Sequence, residues 1–96
     1  AKLGRLDFEE PRYDDFPALD LARQAAERGG TAPAVLNAAN EVAVAEFLAG
    51  RIAFPKIWGI VAEVLERSPD SPAADLGAVL AADRAARDLA VAGAAS

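Results

Sequence analysis

Cysteine and histidine are both absent from this 96-residue chain, and each absence removes chemistry. Without cysteine there is no disulfide, no thiol nucleophile and no thiolate metal site, although that alone does not fix the compartment. Without histidine the commonest acid–base group and metal ligand is missing, so catalysis by this chain alone would fall to carboxylates, lysine, tyrosine or serine. Basic residues are the minority, 10 against 15 acidic, and the net charge of −5 is not offset by any Lys/Arg cluster. Such a chain repels a phosphate backbone, which speaks against nucleic acid as a partner. No apolar run approaches the ~18–20 residues of a membrane span, and the charged opening Ala1-Lys2-Leu3-Gly4-Arg5 has no signal-peptide core behind it. A soluble, cytoplasmic protein with no membrane partner is therefore expected. The length suits one small domain with a core of its own.

What is present is a series of helical patterns separated by glycine and proline. Residues 1–16 carry Leu3, Leu6 and Phe8 among charges, then Pro11, and read as an extended arm with a strand-like piece at Leu6–Phe8. Residues 17–96 read as a helical bundle. The first helix is expected from about Pro17, with Asp14 or Asp15 near its start, to Gly29-Gly30, burying Ala18, Leu21, Ala22 and Ala25. A second starts near Ala32 or Pro33, with Thr31 as N-cap, and ends at Gly50. The connector from Arg51 to Phe54 is expected to bring Ile52 and Phe54 to the core. Pro55 then opens a third helix that buries Ile57, Trp58, Val61, Val64 and Leu65 and turns Lys56, Glu63, Glu66 and Arg67 to water. Ser68-Pro69-Asp70-Ser71-Pro72 is a loop by composition. Beyond it, Asp75 is expected to cap a short turn through Leu80, and Asp83 to cap a last helix with Ala86, Leu89 and Ala90 inward, while Ala92 to Ser96 fray. Little strand signal and short connections predict an all-α fold: a small antiparallel bundle of about four helices preceded by an extended arm.

The second helix carries a polar seam within the most apolar pattern of the chain, Leu36-Asn37-Ala38-Ala39-Asn40-Glu41. At about 100° per residue, Asn40 shares an arc with Leu36, Ala43, Val44 and Phe47, while Asn37 and Glu41 lie at its edge. A buried amide left unpaired costs roughly 1–3 kcal/mol, so Asn40 is expected to bond the backbone of a neighbouring loop. Asn37, Asn40 and Glu41 are accordingly read as a structural polar network. A ligand or metal site at the same residues is the alternative, but one carboxylate without a nearby second acid is a poor metal shell.

The other candidates are weaker. Gly29-Gly30-Thr31 could suggest phosphate at a helix N-terminus, yet it lacks the context of a phosphate-binding motif, and ending one helix while starting another explains it. The acidic residues Asp7, Glu9, Glu10, Asp14 and Asp15 fit no metal-site spacing and read as solvated surface. Trp58 is read as a core anchor beside Val61 and Leu65. Arg84 and Arg87 with Asp83 and Asp88 read as an ion-paired helix surface.

The run from Gly29 to Val44, continued by Phe47-Leu48 and Ile52 to Phe54, closely resembles the C-terminal helical domain of 1-deoxy-D-xylulose 5-phosphate reductoisomerases. Leu6-Asp7-Phe8-Glu9-Glu10-Pro11 followed by Phe16-Pro17-Ala18-Leu19 resembles that family's approach to the domain, with Asp7 where threonine is usual and Arg12 where aspartate is usual. Val79-Leu80-Ala81-Ala82-Asp83 with Ala86-Arg87 is similar to its closing segment. The resemblance implies a parent enzyme that converts 1-deoxy-D-xylulose 5-phosphate to 2-C-methyl-D-erythritol 4-phosphate with NADPH and a divalent metal, Mg or Mn, on the methylerythritol phosphate route of isoprenoid biosynthesis. It places the dinucleotide, the metal carboxylates and the phosphate site on other domains. No catalytic, cofactor or metal residue is therefore carried onto this chain, which is expected to be an inactive scaffold when alone. Its implied partners are the catalytic and NADPH-binding domains, the former being where the arm would pack, and a homodimer stays open. The alternative is a stand-alone helical protein-interaction module whose apolar groove takes a partner helix.

Overall fold

The structure is a computed structural model that describes residues 17–96. The expected arm, its strand-like piece at Leu6–Phe8 and the acidic residues ahead of the first helix lie outside the described residues. Within them the chain forms four helices, α1 (Pro17–Arg28), α2 (Ala32–Leu48), α3 (Lys56–Arg67) and α4 (Leu76–Ala95), and no strand. Helix α2 lies at the centre and packs on the other three, most extensively on α4. Helix α3 also touches α1 and α4, so α2 and α3 together separate the first helix from the last.

The centre is built from small side chains. Ala38, Ala39 and Ala43 on α2 and Ala86 and Ala90 on α4 are all fully buried, and without bulk between them the two backbones pack closely. Bulk comes instead from α3, where Ile57, Ile60, Val61, Val64 and Leu65 form one buried face. Their i, i+3, i+4, i+7, i+8 spacing is that of a helix stripe pressed on a core.

The ends are set by specific residues. Gly29, Gly30 and Gly50 have positive φ, which stops α1 and α2 in the left-handed region that glycine enters without steric cost. Gly30 is further constrained: a Cβ there would run into the carbonyl of Ser71. The same carbonyl accepts the Thr31 N–H at 2.9 Å, so the α1–α2 turn is stitched to the α3–α4 loop. Arg28 makes a second stitch. Its guanidinium donates to the Leu65 carbonyl at 2.7 Å and the Ser68 carbonyl at 2.8 Å, and to the Asp70 carboxylate at 2.6 Å. It thereby satisfies carbonyls at the α3 C-terminus that have no partner within that helix.

Several expectations are corrected. Thr31 occupies the N-cap position of α2 but makes no side-chain capping bond, because its φ/ψ is helical rather than the extended conformation from which a hydroxyl reaches the first-turn amides. On α1 only Leu21 and Ala25 are buried, and Ala18 and Ala22 are exposed, since α1 meets the bundle along one narrow i, i+4 line. Phe54 is 54% exposed rather than in the core, and only Ile52 of that connector is buried. Asp75 does cap a helix, accepting the Ala78 N–H at 2.8 Å, but that helix runs unbroken through Asp83 to Ala95. The expected break lacks any glycine or proline, and alanine has the best helix propensity of all residues. Asp83 is mid-helix and bonded to Arg87. The last helix continues to Ala95, where Ser96 Oγ donates to the Ala92 carbonyl at 3.1 Å and Lys56 Nζ to the Ser96 carbonyl at 2.9 Å.

Candidate functional site

Helices α1, α2 and α3 diverge around an open cleft of about 260 Å³ lined by Ala18, Leu21, Pro33, Leu36, Asn37, Asn40, Trp58 and Val61. Two of the three polar-seam residues, Asn37 and Asn40, line it. Asn40 is half-buried, and among the described residues its amide has no hydrogen-bond partner. The expected bond from Asn40 to a neighbouring loop is thus not made within them. The one-turn spacing that puts Asn40 in line with Leu36 also aims it at the cleft rather than into the alanine core, where Ala38, Ala39 and Ala43 sit.

Asn37 and Glu41 are brought together, and the pair extends across to α4. Asn37 Nδ2 donates weakly to Glu41 Oε2 at 3.4 Å, while Arg87 Nη2 donates to Glu41 Oε1 at 2.9 Å and Arg87 Nε to Asp83 Oδ2 at 2.8 Å. Hydrogen bonding from Arg87 holds the Asp83 carboxyl below its ordinary range, and Asp83 followed by Glu41 raises the guanidinium pKa in turn. The group is a surface clasp between α2 and α4. The expected pairing of Arg87 with Asp83 is present; Arg84 and Asp88 take no part in it.

The remaining candidates resolve simply. The Thr31 N–H, which a phosphate cradle at Gly29-Gly30-Thr31 would need, is already given to Ser71. Trp58 is half-buried at the edge of the cleft, not within the core, with Ile60 in the buried place expected for it. Its ring stands edge-on to Phe54 at 6.0 Å, and Phe54 edge-on to Phe47 at 5.4 Å, an aromatic row leading from the end of α2 to the cleft. Among the described residues no three carboxylates come together to hold a metal ion. Acidic groups are instead tied to arginines: Asp20 and Glu27 to Arg23, Asp70 to Arg28, Glu46 to Arg51, Glu63 to Arg67, and Glu41 and Asp83 to Arg87. No helix among them is long and apolar enough to cross a membrane.

Sequence reasoning missed Arg28 altogether. A basic residue in the last turn of a helix is a general signal for its own C-terminus, whereas Arg28 serves the C-terminus of α3, some forty residues away. Nothing local announces that.

Comparison with known proteins places the geometry. The family described as DXP reductoisomerase C-terminal domain matches residues 1–89. The 1-deoxy-D-xylulose 5-phosphate reductoisomerase of Pseudomonas syringae pv. tomato is 61% identical over 89 residues, 93% of this chain and 22% of the relative. That of Symbiobacterium thermophilum is 57% identical over 88 residues, 92% of this chain and 23% of the relative. The chain thus spans about a fifth of the length of the curated relatives it matches. Among solved structures, the reductoisomerase from Zymomonas mobilis in complex with NADPH matches with a TM-score of 0.82 and 42% identity, over 100% of this chain and 26% of that one. Because the family match spans residues 1–89, nearly the whole chain, the chain belongs to the DXP reductoisomerase C-terminal domain family.

Proposed function

We propose that this chain is the C-terminal helical scaffold of a 1-deoxy-D-xylulose 5-phosphate reductoisomerase, an enzyme that makes 2-C-methyl-D-erythritol 4-phosphate with NADPH and a divalent metal, magnesium or manganese. The observation that carries the reading is the 61% identity to such an enzyme over a segment that is only 22% of its length. Identity of that order over one segment supports a shared role for that segment. The scaffold's partners are then the catalytic and NADPH-binding domains, in a cytoplasmic enzyme.

The described residues do not fit either cofactor. A divalent ion needs converging oxygen ligands, and the carboxylates that are drawn together here are drawn to arginine. A dinucleotide needs a glycine-rich turn opening onto free helix amides, and the one double glycine gives its following amide to Ser71. The chain's contribution is shape: a close-packed alanine centre, stitched at its loops by Arg28 and Thr31, gives the catalytic part a rigid neighbour.

The test is NADPH oxidation with substrate and metal. The isolated chain is expected to give no turnover at high concentration, and the continuous enzyme containing it is expected to be active. Turnover that stays with the chain after any full-length enzyme has been removed would overturn the scaffold reading. Sedimentation of the continuous enzyme decides between monomer and homodimer.

A further inference from the structure

The outer face of α4 is left without a role by the scaffold reading. Gly77, Leu80, Ala81, Arg84, Ala85 and Asp88 line a shallow depression there, and all six belong to that one helix. A small molecule seated on it would be walled on one side only, whereas ligand sites enclose most of their ligand, so the face suits a second protein surface. Glycine and alanine form its floor and let another helix come close. Larger apolar side chains stand beside them: Leu76 is 71% exposed, Leu80 57% and Val91 54%.

The charges of this face indicate the occupant. Arg23, Arg28, Arg51, Arg67 and Arg87 each hold a carboxylate, and Arg84 alone among the described arginines does not. Asp88, one turn on, likewise makes no hydrogen bond or ion pair among the described residues. Cation before acid is the weaker order along a helix, so the two do little for each other, whereas Asp83 and Arg87 beside them have the opposite order and are bonded at 2.8 Å. The face also complements itself about Ala86. When α4 lies antiparallel to its own copy with a two-fold axis level with Ala86, Arg84 stands at the height of Asp88 of the second copy, and Asp88 at that of its Arg84. Gly77 comes level with Ala95, Ala81 with Val91 and Leu80 with Ala92, so each larger apolar side chain has a small one at its height.

We propose that this face pairs α4 with α4 of a second copy of the chain, antiparallel, Arg84 and Asp88 forming two symmetric ion pairs and Leu80 and Val91 packing on the small residues of the other copy. A single helix face is smaller than the roughly 1,200–2,000 Å² of a stable interface, so the association is weak and depends on concentration.

Sedimentation equilibrium of the 96-residue chain, carried up to about 1 mM, provides the test, and since it involves no turnover its outcome is separate from that of the NADPH assay. The chain should show a reversible equilibrium between monomer and dimer. Arg84→Asp and Asp88→Arg should each weaken self-association at least about tenfold by setting like charges against each other. An equimolar mixture of the two variants should recover association, because the acidic face of one meets the basic face of the other. Both residues are exposed and unpaired among the described residues, so circular dichroism of either variant should match that of the unaltered chain. A chain that stays monomeric at that concentration, a dimer that neither variant weakens, or a mixture that associates no better than the single variants would overturn the proposal. So would a loss of turnover in the continuous enzyme on Arg84→Asp without any change in its association, because the face would then be held by the catalytic part.

Discussion

Two adjacent glycines do different amounts of structural work. Both have positive φ, yet a Cβ on Gly29 meets nothing within 4 Å, whereas one on Gly30 collides with the Ser71 carbonyl. Gly29→Ala should therefore cost only the left-handed strain, about 1–2 kcal/mol. Gly30→Ala adds the collision and the displacement of the Thr31–Ser71 bond, and should exceed Gly29→Ala by at least about 1 kcal/mol, the worth of a typical hydrogen bond. Urea titrations of the two variants check this, and equal losses would mean that the α3–α4 loop gives way freely. Arg28 is the companion case. Arg28→Ala removes three bonds from a charged donor and should lower stability by roughly 1.5–3 kcal/mol, while Arg28→Lys should recover only part of that, because an ammonium lacks the planar fork that reaches two carbonyls and a carboxylate together. Full recovery with lysine would show that charge alone matters there.

At the scale of elements, what could be read in the sequence divides along a physical line. Helices α1, α2 and α3 are bounded by Pro17, Gly29-Gly30, Pro33, Gly50 and Pro55, residues whose backbone restrictions act locally, and their limits follow the pattern closely. Helix α4 was misread because aspartate has two local uses. Asp75 sits in extended conformation and caps; Asp83 sits inside the helix and reaches Arg87 four residues on. Only the surrounding alanines, with no breaker among them, tell the two apart. Trp58, Phe54 and Asn40 were placed in the core because periodicity gives an arc, not a neighbour, and α1 turned out to cover less of α2 and α3 than a full bundle helix would. The Asp75 cap gives a direct check. Asp75→Ala should cost about 1 kcal/mol and Asp75→Asn much less, since asparagine caps almost as well. Thermal melts followed at α4 by site-resolved exchange would show it. If Asp75→Ala also opened residues beyond Asp83, the helix would behave as one cooperative unit; loss confined to the first turn would show that Ala86 and Ala90, buried on α2, hold the rest independently.

Across the whole molecule the charges share a direction of response to pH. Asp20 on α1, Glu46 on α2 and Asp83 on α4 are each held below their ordinary values, chiefly by hydrogen bonds from Arg23, Arg51 and Arg87 respectively. A carboxylate with a lowered folded-state pKa binds fewer protons in the native than in the unfolded chain, so it adds stability above its unfolded pKa and loses that contribution as pH falls through the folded one. With ordinary values of 3.8 for the aspartates and 4.5 for the glutamate, the contribution should be complete from neutral pH down to the mid-4 range and decline below it. Each carboxylate is only partly buried and its arginine is open to solvent, so the decline should be shallow and should weaken further in high salt. No histidine is present to titrate between pH 5 and 8, and stability should be nearly flat there. Denaturation midpoints measured from pH 7 to 3 at two salt concentrations test the pattern, and Arg87→Ala should reduce the acid slope by removing the clasp that joins Glu41 to Asp83 across α2 and α4. A slope unchanged in that variant would assign the acid sensitivity to the Asp20–Arg23 pair on α1 and the Glu46–Arg51 pair at the end of α2, and would leave the α2–α4 junction resting on its alanine packing alone.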